Sequence, residues 1–286
     1  MQIDDQPQLK RMGQTVGFLG DGINDTPSLH SADVGSSVDS AADVAKAAAD
    51  IVLLKAGSRG GVVHAGVMEG RRTVVNTDTI HSHGRQRQPR NVCSMALVGS
   101  VLPFLPLLPI QVLLINLIYD FAETGLPLDN VDPKDIAKPI HWDIRLIERF
   151  MIVMGPTSSM FDMVTISRLL LLFHADVAFF RTGWFVETLA TQILWIFAVR
   201  TRRHFFASRP HPTVAGLAFG SAALTVALPF LPGIGQWFEF VHPPAGYFPF
   251  LFAVIAAFVV TTEMVKRFFY AHLVPATSRL HSNGTR

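Results

Sequence analysis

Cysteine is nearly absent. The one thiol, Cys93, excludes an intramolecular disulfide in a chain of 286 residues. Its apolar neighbours fit a packed thiol. Charge is scarce too: 16% of residues are Asp, Glu, Lys or Arg, against 49% hydrophobic. That balance excludes an ordinary soluble domain of this length and points to a membrane protein in contact with lipid. The net charge of +2 gives no reason to expect a nucleic-acid partner. Met1 to Arg11 lack the apolar core of a signal peptide, so the N-terminal part is expected on the cytoplasmic side. The histidines form no metal set; His81 and His83 stand two apart, which suits neither face of a helix.

The charges that exist concentrate in residues 1–90 and a few short loops, so composition divides the chain near Asn91. In the polar part, Thr15 to Leu19 reads as a short buried strand and Thr26-Pro27 opens a helix, proline being tolerated in the first turn. Ala32 to Gly35 reads as a second strand. Ser40 to Asp50 reads as an alanine-rich helix, with Ser40 as N-cap and Asp43 as its capping partner. Ile51 to Leu54 reads as a third strand. Strands alternating with helices predict part of a parallel α/β layer.

The chemistry is concentrated in Gly20-Asp21-Gly22-Ile23-Asn24-Asp25. The run follows a strand, where ligands of open α/β sheets bind. Gly20 and Gly22 let the backbone approach an anion, and the next helix start offers free N–H groups. Carboxylates beside a phosphate make sense with a hard cation between them, since Mg²⁺ takes oxygen ligands and shares them with phosphate. Asp21 is the candidate for direct Mg²⁺ coordination, Asp25 for a water-mediated role at the same ion, and Asn24 for a hydrogen bond to phosphate. A turn with solvated aspartates is the plainer reading.

Residues Thr15 to Leu29, Ala41 to Leu54 and Glu69-Gly70-Arg71-Arg72-Thr73 together resemble the hinge region of P-type cation-transporting ATPases. The resemblance extends over about residues 8–270. It implies a fragment of the haloacid-dehalogenase-like phosphorylation domain in residues 1–76, with Asp21 matching the aspartate that binds Mg²⁺ at the phosphorylation site. The family also uses an aspartyl nucleophile in an Asp-Lys-Thr-Gly run and a Thr-Gly-Glu loop. Neither run occurs in this sequence, and covalent catalysis cannot proceed without the carboxylate that is phosphorylated. The chain is therefore expected to be inactive alone, with ATP bound by domains it does not contain. A soluble dehalogenase-like phosphatase is disfavoured for the same reason.

In residues 91–270, stretches approaching the ~20 apolar residues of a membrane span predict an all-α bundle of six transmembrane helices. They are Asn91–Leu108, Ile110–Leu128, Glu148–Phe173, Trp184–Val199, Thr213–Leu231 and Tyr247–Phe268. Trp184, Trp237 and Tyr247 are expected at interfaces. Lys134, Lys138, Arg200, Arg202, Arg203, Arg209, Lys266 and Arg267 would then lie on the cytoplasmic side. This arrangement predicts a multi-pass protein of the cell membrane with a cytoplasmic tail at 271–286.

Polar groups inside apolar helices are functional candidates. Asn116 and Asp120 stand four apart on one helix face, and an amide oxygen with a carboxylate suits a hard cation. Asn91 offers a third oxygen. Pairing of these groups with other helices remains open from the residues alone. The resemblance implies that Asn91, Asn116 and Asp120 form the transported-ion site. Leu102 to Pro106, Pro127 to Asp132, Arg149-Phe150-Met151, Gly155 to Asp162 and Gly183-Trp184-Phe185 are similar to the magnesium-transporting branch, which implies Mg²⁺ as the divalent cargo. Asp162 is read equally as paired within the bundle or as lining a path. Glu123, Glu187 and Glu263 are read as interfacial or bundle-facing.

Residues 77–90 depart from the family. They are polar on every face and include Gly84 and Pro89, so a disrupted stalk is expected there, proline inside a helix costing ~3 kcal/mol. Three organisations follow: a C-terminal fragment of a magnesium pump, one half of a split pump completed by a separate chain, or a non-catalytic membrane helix bundle.

Overall fold

A computed structural model describes residues 5–54, 59–137, 144–201 and 208–273, with the backbone alone at positions 78–93 and a few others. Lys138, Arg202, Arg203 and residues 274–286, used in the topology reading, lie outside the described residues. Two compact units divide the chain at Gly70 and Arg71.

The first unit opens with helix α1 (Asp5–Arg11). Strands β1 (Gly17–Leu19), β2 (Val34–Val38) and β3 (Ile51–Leu53) follow, with α2 (Thr26–Ser31) and α3 (Asp43–Ala48) as crossovers. The strands are parallel in the order β1-β2-β3, with Phe18 opposite Gly35 and Ser37 opposite Val52. Leu29, Val38, Ala41 and Ala45 form its small core. Helix α3 starts at Asp43 with Ala42 as N-cap, not at Ser40. Gly35 is required by packing: a Cβ there would lie 2.7 Å from the Leu29 carbonyl oxygen.

The second unit is helical. Helix α4 (Arg59–Val101) begins before the division and continues into it. Its backbone is helical across 77–90. A proline-rich turn leads to α5 (Pro109–Glu123), where the Leu108 N–H donates to Gln111 Oε1 at 3.0 Å. After the short α6 (Pro133–Ile136) come α7 (Ile144–Leu171) and α8 (Val177–Val199). Asp176 caps α8 by accepting from the Phe179 N–H at 2.8 Å. Then follow α9 (Pro212–Ala227), the short α10 (Ile234–Trp237) and α11 (Tyr247–Phe268).

Helix α8 lies at the centre, packed by α5, α7, α9 and α11. Phe180, Phe185, Leu189, Ile193 and Ile196 of α8 meet Ile115, Tyr119 and Ala122 of α5, Leu169 of α7 and Val214 of α9. A second cluster joins Phe150, Met154 and Phe161 of α7 to Trp195 and to Val254 and Phe258 of α11.

The expected bundle of six membrane-spanning helices is corrected. Among the described residues, two helical stretches are long and apolar enough to cross a membrane, Pro212–Phe230 and Tyr247–His272. Helix α5 has 15 residues, about 22 Å at 1.5 Å per residue, short of a hydrocarbon core of about 30 Å. Helix α4 carries polar sequence up to Arg90 and ends at Val101. Small and polar residues, Gly155 to Ser159, break up the apolar sequence of α7. Arg181, Glu187, Thr188, Thr191 and Gln192 dilute α8. The dehalogenase-like domain is corrected too: what stands in its place is the three-stranded sheet with two short crossover helices.

Candidate functional site

Gly20 to Asp25 lies at the carboxyl end of β1, between the strand and the short 3-10 turn Ile23–Asp25 that enters α2. The loop is tied to its neighbour: the Gly20 N–H donates to the Ser36 carbonyl at 3.0 Å, and Ser37 Oγ donates to the Gly20 carbonyl at 2.8 Å. The Ala42 N–H donates to the Asp21 carbonyl at 3.1 Å.

Asp25 turns back into the loop. Its Oδ2 accepts from the Asp21 N–H at 3.0 Å and the Gly22 N–H at 2.9 Å. This fold-back is why residue 20 must be glycine, since a Cβ there would sit 2.5 Å from Asp25 Cβ. Asp25 is half-buried, whereas Asp21 and Asn24 are exposed at the mouth of the loop. The donor set fits Mg²⁺ in part. Asp21 offers an exposed carboxylate at the loop mouth, but no group of three His, Cys, Asp or Glu side chains that could hold a metal exists among the described residues. An octahedral ion here would take its remaining oxygens from phosphate and water.

Nearby, Asp33 fixes the start of β1. Its Oδ2 accepts from the Val16 N–H at 2.8 Å and its Oδ1 meets Lys10 Nζ at 2.9 Å. The backbone hydrogen bond, and secondarily Lys10, hold the Asp33 carboxyl below the usual carboxylate range.

The proposed ion-site residues are only partly brought together. Asn116 and Asp120 lie one turn apart on α5, Asn116 half-buried and Asp120 exposed. The side chain of Asn91 lies outside the described residues. Helix α5 buries Gln111, Ile115, Ile118, Tyr119 and Ala122. Its other side exposes Leu113, Leu117 and Phe121, at 67%, 67% and 58%, and Asp120 belongs to that side.

Sequence reasoning underrated the interior. Asp162 is 2% exposed. It accepts from Ser94 Oγ at 2.8 Å, and from Trp184 Nε1 and Thr188 Oγ1 at 3.4 Å each. Trp184 and Tyr247, expected at interfaces, are core residues because their polar tips are satisfied inside, Tyr247 donating to the Gly183 carbonyl at 2.6 Å. Glu187 is fully buried as well. Asp129, noted only within a run similar to the magnesium-transporting branch, and Arg200, read only as a loop charge, form a buried pair. A lone aspartate in an apolar stretch was the one signal that pointed to this interior. Ser94 and Thr188 carry no sequence signal of their own.

The family described as cation transporting ATPase, C-terminus, matches residues 104–268. The chain belongs to this family of cation-transporting ATPases. It is 40% identical over 266 residues to a magnesium-transporting ATPase, P-type 1, of Salmonella typhimurium, covering 91% of this chain and 29% of that protein. The protein of the same description from Escherichia coli K12 is 40% identical over 269 residues, with the same shares covered. A calcium-transporting ATPase of Bacillus subtilis is 23% identical over 248 residues, 80% of this chain and 26% of that protein. The chain thus spans 29% of the length of these magnesium-transporting relatives, and its similarity lies with their C-terminal part. Two helical stretches able to cross a bilayer fit a membrane location for this member of the cation-transporting ATPases.

Proposed function

We propose that this chain is the C-terminal part of a P-type ATPase that moves magnesium across the cell membrane at the expense of ATP. The observation that carries the reading is the 40% identity over 91% of the chain to magnesium-transporting ATPases. In this reading the N-terminal unit is cytoplasmic and the chain crosses the membrane more than once. Asp21 holds Mg²⁺ at the phosphorylation site, Asn24 hydrogen-bonds phosphate, and Asp25 with Gly20 and Gly22 shapes the loop. Asn91, Asn116 and Asp120 contact the transported ion.

The nucleophile and nucleotide site come from a further portion of the pump, joined to this chain or supplied as a separate one. The outer side of α5 supports such a partner. Leu113, Leu117 and Phe121 are exposed along α5 beside Asp120, an apolar stripe of the kind that marks contact with another protein segment or a membrane.

The test expresses the chain in a magnesium-requiring bacterial strain, alone and together with the N-terminal part of a magnesium-transporting relative. The chain alone should form no phosphoenzyme and give no growth at low magnesium, and the pair should restore both. Asp120→Asn should abolish growth in the pair. Phosphoenzyme formed by the chain alone would refute its dependence on another portion. Growth indifferent to Asp120→Asn would remove that residue from the ion path.

A further inference from the structure

The connection between α9 and α11 turns an apolar side outward. Trp237 is 84% exposed and Ile234 50%. They stand three apart and share one face of α10. The opposite face is the one that packs. Gly235 is buried there, and a Cβ on it would lie 3.0 Å from the Leu228 carbonyl oxygen. Gly233, at φ 80°, makes the turn that lays α10 against Leu228.

The segment after α10 is fastened to the bundle. Gln111 Nε2 of α5 donates to the Phe238 carbonyl at 2.8 Å. Arg181 Nη1 of α8 pairs with Glu239 Oε2 at 3.1 Å, and the Val241 N–H donates to Thr182 Oγ1 at 3.1 Å. The Phe240 and Phe185 rings lie 4.5 Å apart. Trp237 stands directly before this segment, so a fixed backbone displays its ring.

Position and charge say what covers the patch. The two stretches able to cross a bilayer are Pro212–Phe230 and Tyr247–His272, and residues 231–246 join them. With both stretches across the bilayer, the join lies at the membrane surface. Residues 231–246 contain no Lys or Arg, and their one carboxylate, Glu239, is paired with Arg181. The patch therefore carries no charge that would draw an acidic partner or select an anionic headgroup. An indole has an apolar body and a polar N–H, which suits the boundary between headgroups and acyl chains.

We propose that Trp237 and Ile234 form a lipid-binding anchor, seated at the headgroup–acyl boundary and indifferent to headgroup charge. The anchor rests on the reading that α9 and α11 cross the membrane. Gln111, Arg181 and Thr182 tie the same segment to α5 and α8, so the anchor also fixes the depth of those two helix ends.

The full chain is reconstituted in phosphatidylcholine vesicles brominated either high on the acyl chain or near its end. Trp237 emission is taken as the difference from Trp237→Phe. The upper bromines should quench it more strongly than the lower ones. Val260→Trp, at an exposed position midway along the second stretch, should show the reverse order. Adding phosphatidylglycerol should leave the Trp237 quenching unchanged. Ile234→Glu should weaken it, and circular dichroism checks that each variant is folded. Quenching of Val260→Trp without quenching of Trp237 would overturn the anchor while the membrane reading stands, and would leave the patch to a protein partner. Quenching of neither would overturn both. Trp237 quenched most by the lower bromines, or only with phosphatidylglycerol present, or equally in folded Ile234→Glu, would also overturn the anchor.

Discussion

Asp129 and Arg200 form a buried ion pair, Oδ2 to Nη1 at 3.0 Å, with 5% and 2% of their side chains exposed. Each partner is held again: the His211 N–H donates to Asp129 Oδ1 at 2.9 Å, and Arg200 Nη2 donates to the Ser208 carbonyl. The Asp129 carbonyl also accepts from Asn76 Nδ2 at 3.2 Å. One loop residue thus joins α4, the end of α8 and the start of α9. Arg200→Met strands a buried carboxylate and should cost about 3–5 kcal/mol, read as a lowered unfolding temperature in detergent. Pairing it with Asp129→Asn should recover part of the loss, because the stranded charge is gone. An unfolding temperature insensitive to Arg200→Met would mean that the pair holds nothing.

The loop after β1 should separate shape from chemistry. Gly20→Ala drives a Cβ into Asp25, an overpacking of about 1–3 kcal/mol. Asp25→Ala removes the acceptor of two N–H groups and should cost about 1 kcal/mol. Asp21→Asn, at an exposed position, should stay within about 0.5 kcal/mol. Amide exchange at residues 20–26 measures all three, and faster exchange in Asp21→Asn than in Gly20→Ala would contradict this division of labour.

Asp33 should make the first unit acid-sensitive. Its carboxyl is held below the usual carboxylate range by the Val16 N–H and then Lys10, so the folded state favours the ionised form. That contribution is complete above the unfolded value of about 4 and is lost as pH falls through the lower, folded value. The stability gap between the native chain and Asp33→Asn should therefore be constant from neutral pH down to about 4 and narrow below it. Denaturant titrations at stepped pH measure the gap; one that widens in acid would reverse the sign.

Tyr247 is fully buried and donates to the Gly183 carbonyl at 2.6 Å. Tyr247→Phe keeps the ring contacts with Phe173 and Phe179 and removes only that bond. The expected cost is about 0.5–1.5 kcal/mol, seen as a small fall in unfolding temperature. A loss several times larger would show that the hydroxyl orders more than one carbonyl.

The strands around Phe18, Gly35 and Val52 were readable to within a few residues, because short apolar runs stopped by glycine leave few other structures. The loop at Gly20 to Asp25 was readable from its composition, but the inward turn of Asp25 was not, since no spacing rule says which carboxylate will cap its own loop. The family was legible in the same motifs. Six spans were not what formed, because apolar content along 91–270 does not distinguish a helix that can cross a bilayer from one such as α8, which is buried among its neighbours on nearly every side. Trp184 and Tyr247 misled for a related reason. An aromatic with a polar tip near a helix end suits an interface, but it suits a core equally when a carboxylate or carbonyl waits inside. Asp129 and Arg200 are 71 residues apart in sequence, and nothing local in either loop announces the other.

The inward turn of Asp25 changes what the loop offers an incoming anion. The two N–H groups of Asp21 and Gly22, the donors such a loop would present, are already engaged by an internal carboxylate. If the loop takes an anion through these donors, as proposed above, the anion would have to displace Asp25 Oδ2 from them. Anion capture and carboxylate release would then be one event.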